Sequence, residues 1–167
     1  MSNNSATKSG GSLILVATPI GNLGDMTQRA IETLQSADVI CCEDTRHSGK
    51  LLAHFGVTDK KLIVINEHTE YDAREEIVAL VVSGSLVALI TDAGTPGISD
   101  PGERLVTAVI EAGGQITAVP GASALTMALV ISGLPTSRFV FEGFLPRSGI
   151  ERTERLAMTT TESRTIV

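Results

Sequence analysis

The stretch Leu86-Val87-Ala88-Leu89-Ile90-Thr91-Asp92-Ala93-Gly94-Thr95-Pro96-Gly97-Ile98-Ser99-Asp100-Pro101-Gly102 decides how the rest of the chain is read. Its first six residues form an unbroken apolar run closed by threonine, which predicts a strand over Leu86–Thr91 buried on both faces. The following residues are small, with glycines and prolines at short intervals. That is long for a strand-to-helix connection, and such density is not needed for a structural turn alone. A loop of this kind lets a ligand press against backbone amides and carbonyls without side-chain obstruction. Asp92, at the end of the strand, is suited to accept hydrogen bonds from a ribose or an ammonium group. Asp100-Pro101 then reads as an N-cap followed by a proline at the first helical position, predicting a helix over Pro101–Ala112.

The same alternation extends outward from this segment. Short aliphatic runs at Leu13–Ala17, Val39–Cys42, Leu62–Ile65 and Ile116–Val119 read as further strands. Helical patterns lie between them at Thr27–Ser36, Arg46–His54 and Tyr71–Ser83, and Gly56 and Gly84 stand as helix stops. Repeated strand–helix units of this length predict an α/β fold: a mostly parallel five-stranded sheet with helices on both faces. Beyond it, Ala122–Ile131 reads as a helix, Phe139–Phe144 as a strand, Glu151–Met158 as a helix and Arg164–Val167 as the start of another strand. The expected organisation is a disordered tail over 1–11, an N-terminal α/β domain over 12–119, and an incomplete second α/β domain over 120–167. The last strand has no partner after it, so the chain reads as truncated.

Composition narrows the functional classes. The 167 residues are 43% hydrophobic and 19% charged, an ordinary globular mixture, with 16 glycines but only 3% aromatics. Net charge is −6, against the basic footprint usual for a nucleic-acid binder. The charge is uneven: from Arg138 onward five arginines face four glutamates, giving +1, and the preceding residues carry −7. Any RNA-binding surface must therefore be local or supplied from elsewhere. Cys41 and Cys42 are adjacent, too few for a disulfide framework, and read as a reduced pair at the end of a buried strand. A cytoplasmic location follows loosely. Leu13–Val16 is too short to cross a membrane.

In a parallel sheet, ligands gather at the carboxyl ends of the strands. After the first strand comes Ala17-Thr18-Pro19-Ile20-Gly21-Asn22-Leu23-Gly24-Asp25, a tight loop that on its own reads equally as a simple connection. It lacks the spacing of a GxGxxG loop, and no GxxxxGK[ST] occurs in the chain. After the second strand, Glu43-Asp44-Thr45-Arg46 is read two ways: acidic residues stabilising a helix N-terminus, or a cleft wall that orients a substrate. After the fifth, Pro120-Gly121-Ala122-Ser123-Ala124 is read as a helix cap or as small residues leaving helix N–H groups open to a ligand. His47, His54 and His68 lack metal-ligand spacing with the cysteines, so no metal is expected. A receiver or flavodoxin-like binding module fits poorly, since the third strand runs into Val64-Ile65-Asn66-Glu67 without a phospho-accepting aspartate.

Taken together, LVATPIGNLGD, EDTR, TDAGTPGISDPG and PGASA, in this order and spacing, resemble the small-subunit ribosomal RNA methyltransferase I branch of the tetrapyrrole-methylase superfamily. The resemblance runs from about Leu13 to the end. It implies two α/β domains, S-adenosylmethionine as cofactor, a homodimer, and 2′-O-methylation of a cytidine in small-subunit ribosomal RNA. Matched by position, it implies cofactor contacts from Pro19, from Asp92, Ala93 and Gly94 with Gly97 or Ile98, and from Ser123 and Ala124. Tetrapyrrole-methylating relatives carry a Gly-Gly-Asp-Pro-type loop; here Asp92 stands where they have glycine and Gly94 where they have aspartate. That departure weighs against the alternative of a tetrapyrrole C-methyltransferase; diphthine synthase is a more distant variant. For the proton of the acceptor hydroxyl, Asp92 is the first candidate, with Glu43 and Asp44 behind it.

Overall fold

Alternation of buried side chains along short aliphatic strands organises this protein, whose computed structural model describes residues 10–66 and 69–167. Most of the expected tail, and His68, lie outside the described residues. Five strands, β1 (Ser12–Val16), β2 (Val39–Cys42), β3 (Lys61–Val64), β4 (Leu86–Leu89) and β5 (Gln115–Val119), form one sheet in the order β3-β2-β4-β1-β5. Every pairing is parallel, with Leu13 opposite Val87 and Ile116, and Ile40 opposite Leu62 and Ala88. Helices α1 (Gln28–Ser36), α2 (Thr45–His54), α3 (Glu70–Val82) and α4 (Glu103–Glu111) connect the strands.

Two apolar clusters show which helix covers which face. Ile40, Cys42, Ala88 and Ile90 point to one side, where Ala30 and Leu34 of α1 and Leu52 of α2 cover them. Val39, Cys41, Val87 and Leu89 point to the other, against Ile77 and Val81 of α3 and Leu105 and Val109 of α4. The two-residue period of a strand thus sends neighbouring residues, including the two cysteines, into opposite layers. Both thiols are free and fully buried, and burial pushes Cys41 up to about 12.

The expected strands and helices of this sheet are found, with ends displaced by a few residues. Strand β4 stops at Leu89 rather than Thr91. Helix α4 corrects the Asp100-Pro101 cap: it begins at Glu103, and Gly102 is its N-cap. Gly102 has φ +131°, outside the helical region, so a helix cannot run through it from Pro101. Gly56 and Gly84 do end α2 and α3, with φ of +67° and +103°. A short 3-10 turn at Leu23–Asp25, capped by the Asn22 side chain, has no apolar period to announce it.

The chain divides into two compact units, the first ending at Ala122 and the second running from Ser123 to Val167. The second holds α5 (Ala124–Ile131), β6 (Phe139–Val140), α6 (Ile150–Thr159) and β7 (Thr165–Ile166). Its two strands pair in parallel, Phe139 with Thr165 and Val140 with Ile166. The strand expected over Phe139–Phe144 is only two residues long, and Gly143, with φ +70°, turns the backbone before Phe144.

Candidate functional site

Strands β1 and β4 are neighbours, yet the chain leaves them toward opposite faces: β1 leads to α1 in one layer and β4 to α4 in the other. Connections that part in this way open a crevice at the carboxyl ends of the strands. Across it the two loops are laced together. Thr18 N donates to Gly94 O at 2.8 Å and Gly94 N to Thr18 O at 3.1 Å. The buried Thr18 hydroxyl donates to Thr91 O at 3.1 Å, and Ala17 N donates to Val119 O of β5 at 3.3 Å. Thr95 Oγ1 donates to Ala122 O at 3.1 Å, so the β4 loop is also tied to the segment after β5.

Small residues permit this approach. A Cβ on Gly121 would stand 3.0 Å from Ala17 Cβ, and one on Gly94, where φ is +88°, 3.5 Å from Ile20 Cγ2. Toward solvent the cradle is open: a Cβ on Gly97 or Gly21 would meet nothing within 4 Å. Pro19 and Gly94 are buried in its floor, Gly97 is half-buried, and Ala93 and Ile98 are exposed at its rim.

Beside it, a cleft of about 860 Å³ opens between the end of β2 and the turn leading into α4. Glu43, Asp44, Asp92, Asp100 and Glu103 line it, with Arg104 the one cation among its described lining residues. Asp92 Oδ1 is buried and has no hydrogen-bond partner among the described residues. Asp44 is committed elsewhere. Its carboxylate caps α2 through Arg46 N at 2.8 Å and holds the Arg46 guanidinium at 2.6 and 3.1 Å. Those bonds hold its carboxyl well below the usual carboxylate range. Asp100 goes the other way: burial raises it, the nearby Thr91 hydroxyl draws it partly back, and the Asp92 charge adds to the rise.

The fold thus brings together Pro19, Asp92, Ala93, Gly94, Gly97 and Ile98, and sets Glu43 and Asp44 on the cleft that Asp92 shares. Ser123 and Ala124 open the second unit, where Ser123 is the N-cap of α5 without a side-chain capping bond. Reading the sequence missed Asp100, taken there for a helix cap, and Thr18, whose role depends on a partner 73 residues away. Its density of aspartate within one loop was the only available signal for the first; nothing in sequence marks the second.

The family model for Tetrapyrrole (Corrin/Porphyrin) Methylases matches residues 12–167. The chain belongs to the tetrapyrrole methylases. Among curated relatives it is 53% identical over 157 residues to a protein of Synechocystis named ribosomal RNA small subunit methyltransferase I, covering 94% of this chain and 56% of that protein. A protein of the same name from Escherichia coli O157:H7 is 46% identical over 165 residues, covering 99% of this chain and 57% of that one. The chain therefore spans a little over half the length of these relatives. Among solved structures, uroporphyrin-III-C-methyltransferase from Thermus thermophilus superposes with a TM-score of 0.57 at 24% identity, covering 78% of this chain and 58% of that one. That likeness reaches the fold: this tetrapyrrole methylase has the parallel sheet and helical layers of its family.

Proposed function

We propose that this tetrapyrrole methylase is the cofactor-holding part of an S-adenosylmethionine-dependent methyltransferase of small-subunit ribosomal RNA, with the ribose 2′-hydroxyl of a cytidine as acceptor. The observation that carries the reading is the 45–53% identity to proteins named for that RNA, extending over the whole loop-bearing unit. The residues present fit the cofactor. The β4 loop is open where glycine leaves space, and the buried Asp92 Oδ1 lacks a partner among the described residues. An orphaned buried carboxylate oxygen is costly unless a ligand group completes it.

Bound there, S-adenosylmethionine would supply an electrophilic sulfonium methyl carbon. The chain's own task is chiefly positioning. Pro19, Ala93, Gly94, Gly97 and Ile98 offer backbone groups and a small-residue wall. Ser123 and Ala124 leave the first N–H groups of α5 free for a polar ligand atom. Asp92 is the first candidate to take the acceptor's proton, with Glu43 beside it; Asp44, already engaged by Arg46, serves better to hold the cleft wall. Residues 12–119 form the cofactor domain and 120–167 open a second α/β domain. The working form is a cytoplasmic homodimer.

The test is calorimetric titration of S-adenosylmethionine into the full-length protein, followed by transfer of isotope label to small ribosomal subunits from cells lacking the enzyme. Binding with label in RNA is the expected result. Binding with label only in a tetrapyrrole precursor offered in parallel overturns the choice of acceptor, and no binding overturns the reading.

A further inference from the structure

The loop after β4 doubles back on the strand it leaves. Gly97, Ser99 and Gly102 all have positive φ, at +80°, +56° and +131°. Ser99 is one of two non-glycine residues in that region among the described residues, a conformation that costs an L side chain about 1–3 kcal/mol. These turns return Asp100 to the end of β4, where it stands half-buried on the cleft that Asp92 also lines.

Two buried oxygens at this strand end are left without partners. The Thr91 side chain is 1% exposed, and its hydroxyl completes no hydrogen bond among the described residues, although it lies near enough to draw the Asp100 carboxyl down. Asp92 Oδ1 is the other. Both cost free energy unless something supplies the missing bond. A proton does so for the carboxylate: an ionised carboxyl only accepts, whereas a protonated one carries a donor.

The remaining charged groups on the cleft are Glu43 and Asp44 after β2 and Glu103 and Arg104 at the start of α4; Asn66, after β3, lines it uncharged. Asp44 is neutralised by Arg46. Arg104 belongs to none of the ion pairs found among the described residues. Burial first, and then the charge of Asp92, make Asp100 the more proton-hungry for being where it is.

We propose that Asp92 and Asp100 work as one carboxyl pair, in which Asp92 takes the proton of the acceptor hydroxyl and Asp100 is the positioning residue that shares it. The acceptor O–H bond breaks and its proton passes to the pair. The oxygen bonds to the methyl carbon, and the carbon–sulfur bond breaks with its electron pair left on sulfur. The proton then leaves to water through the open cleft. This rests on the function proposed above and adds Asp100 to it.

The experiment follows label transfer from S-adenosylmethionine to small ribosomal subunits by the full-length protein across a pH series. Asp100→Asn is expected to lower kcat by about 10²-fold with the cofactor KM unchanged, and to move the acidic limb of the kcat profile to lower pH. Asp100→Glu restores most of the rate. Because the pair acts as a unit, Asp92→Asn and Asp100→Asn together are no slower than the slower single variant. Thr91→Val removes the hydroxyl that draws Asp100 down, so it moves the limb the opposite way, and it carries the test if Asp100→Asn does not fold. An unchanged rate in Asp100→Asn, or a lost rate with the limb unmoved, overturns the proposal. Carbon-13 NMR of the aspartate carboxyls reads the pair without catalysis: Asp92→Asn is expected to lower the Asp100 midpoint, and an unmoved midpoint overturns the pairing. A wild-type protein that labels no RNA loses the function proposed above, while this titration still decides the pair.

Discussion

Gly102 joins the site to the core, and replacing it with alanine gives the most exacting test of the loop. Its φ of +131° belongs to backbone that L residues rarely adopt, a cost of about 1–3 kcal/mol. A Cβ there would also stand 2.8 Å from Leu89 Cδ2. Leu89 is fully buried in the layer under α4, so it yields only by disturbing its neighbours, at about 1–2 kcal/mol more. Together these predict a loss of roughly 2–5 kcal/mol, or a Tm lower by about 5–15 °C for a chain of this size. Gly97→Ala is the internal control: φ is +80°, but nothing lies within 4 Å. It carries the strain without the contact, about 1–2 kcal/mol and roughly 2–6 °C. Thermal melts followed by circular dichroism read both. If Gly102→Ala melts no lower than Gly97→Ala, the close packing of this turn on β4 is wrong, and with it the claim that the core fixes the loop.

Asp92→Asn in the full-length protein is expected to leave the fold intact and lower the methylation rate at saturating cofactor by about 10²–10⁴; an unchanged rate removes Asp92 from the proton step. Thr18→Val deletes the buried hydroxyl that donates to Thr91 O and should cost about 1–3 kcal/mol in urea unfolding, whereas a neutral result would mean the loops are not tied there. Cys41 and Cys42 should resist alkylation in the folded protein and react only on unfolding. Burial lifts Cys41 from 9.0 to about 12, so above pH 9 the unfolded chain releases a proton that the native one keeps. Stability should then fall as pH rises through that window, by up to about 1.4 kcal/mol per unit, and a flat alkaline profile would contradict this.

The layers of the fold were legible because the signals were local. Runs such as Val39–Cys42 and Leu86–Leu89 are apolar on both faces, and glycines at 56 and 84 end their helices where positive φ demands them. The start of α4 was not legible. Asp100-Pro101 is a good cap in isolation, but Gly102, with φ +131°, breaks the helical path at a place where a Cβ would stand 2.8 Å from Leu89 Cδ2. Strand order was equally hidden, since β4 enters between β2 and β1 through pairings remote in sequence. At the site, the loop Asp92–Gly97 announced itself through glycine and proline. The different conditions of Asp44 and Asp100 did not, because one depends on how Arg46 folds back and the other on burial beside Asp92.

We propose that this loop system serves methyl transfer to a ribose hydroxyl of ribosomal RNA. The direct measurement is to incubate the full-length protein with isotope-labelled S-adenosylmethionine and small ribosomal subunits from cells lacking the enzyme, then digest the RNA to nucleosides. Label is expected in 2′-O-methylated cytidine. Label on a base, or on no nucleoside at all, would contradict it.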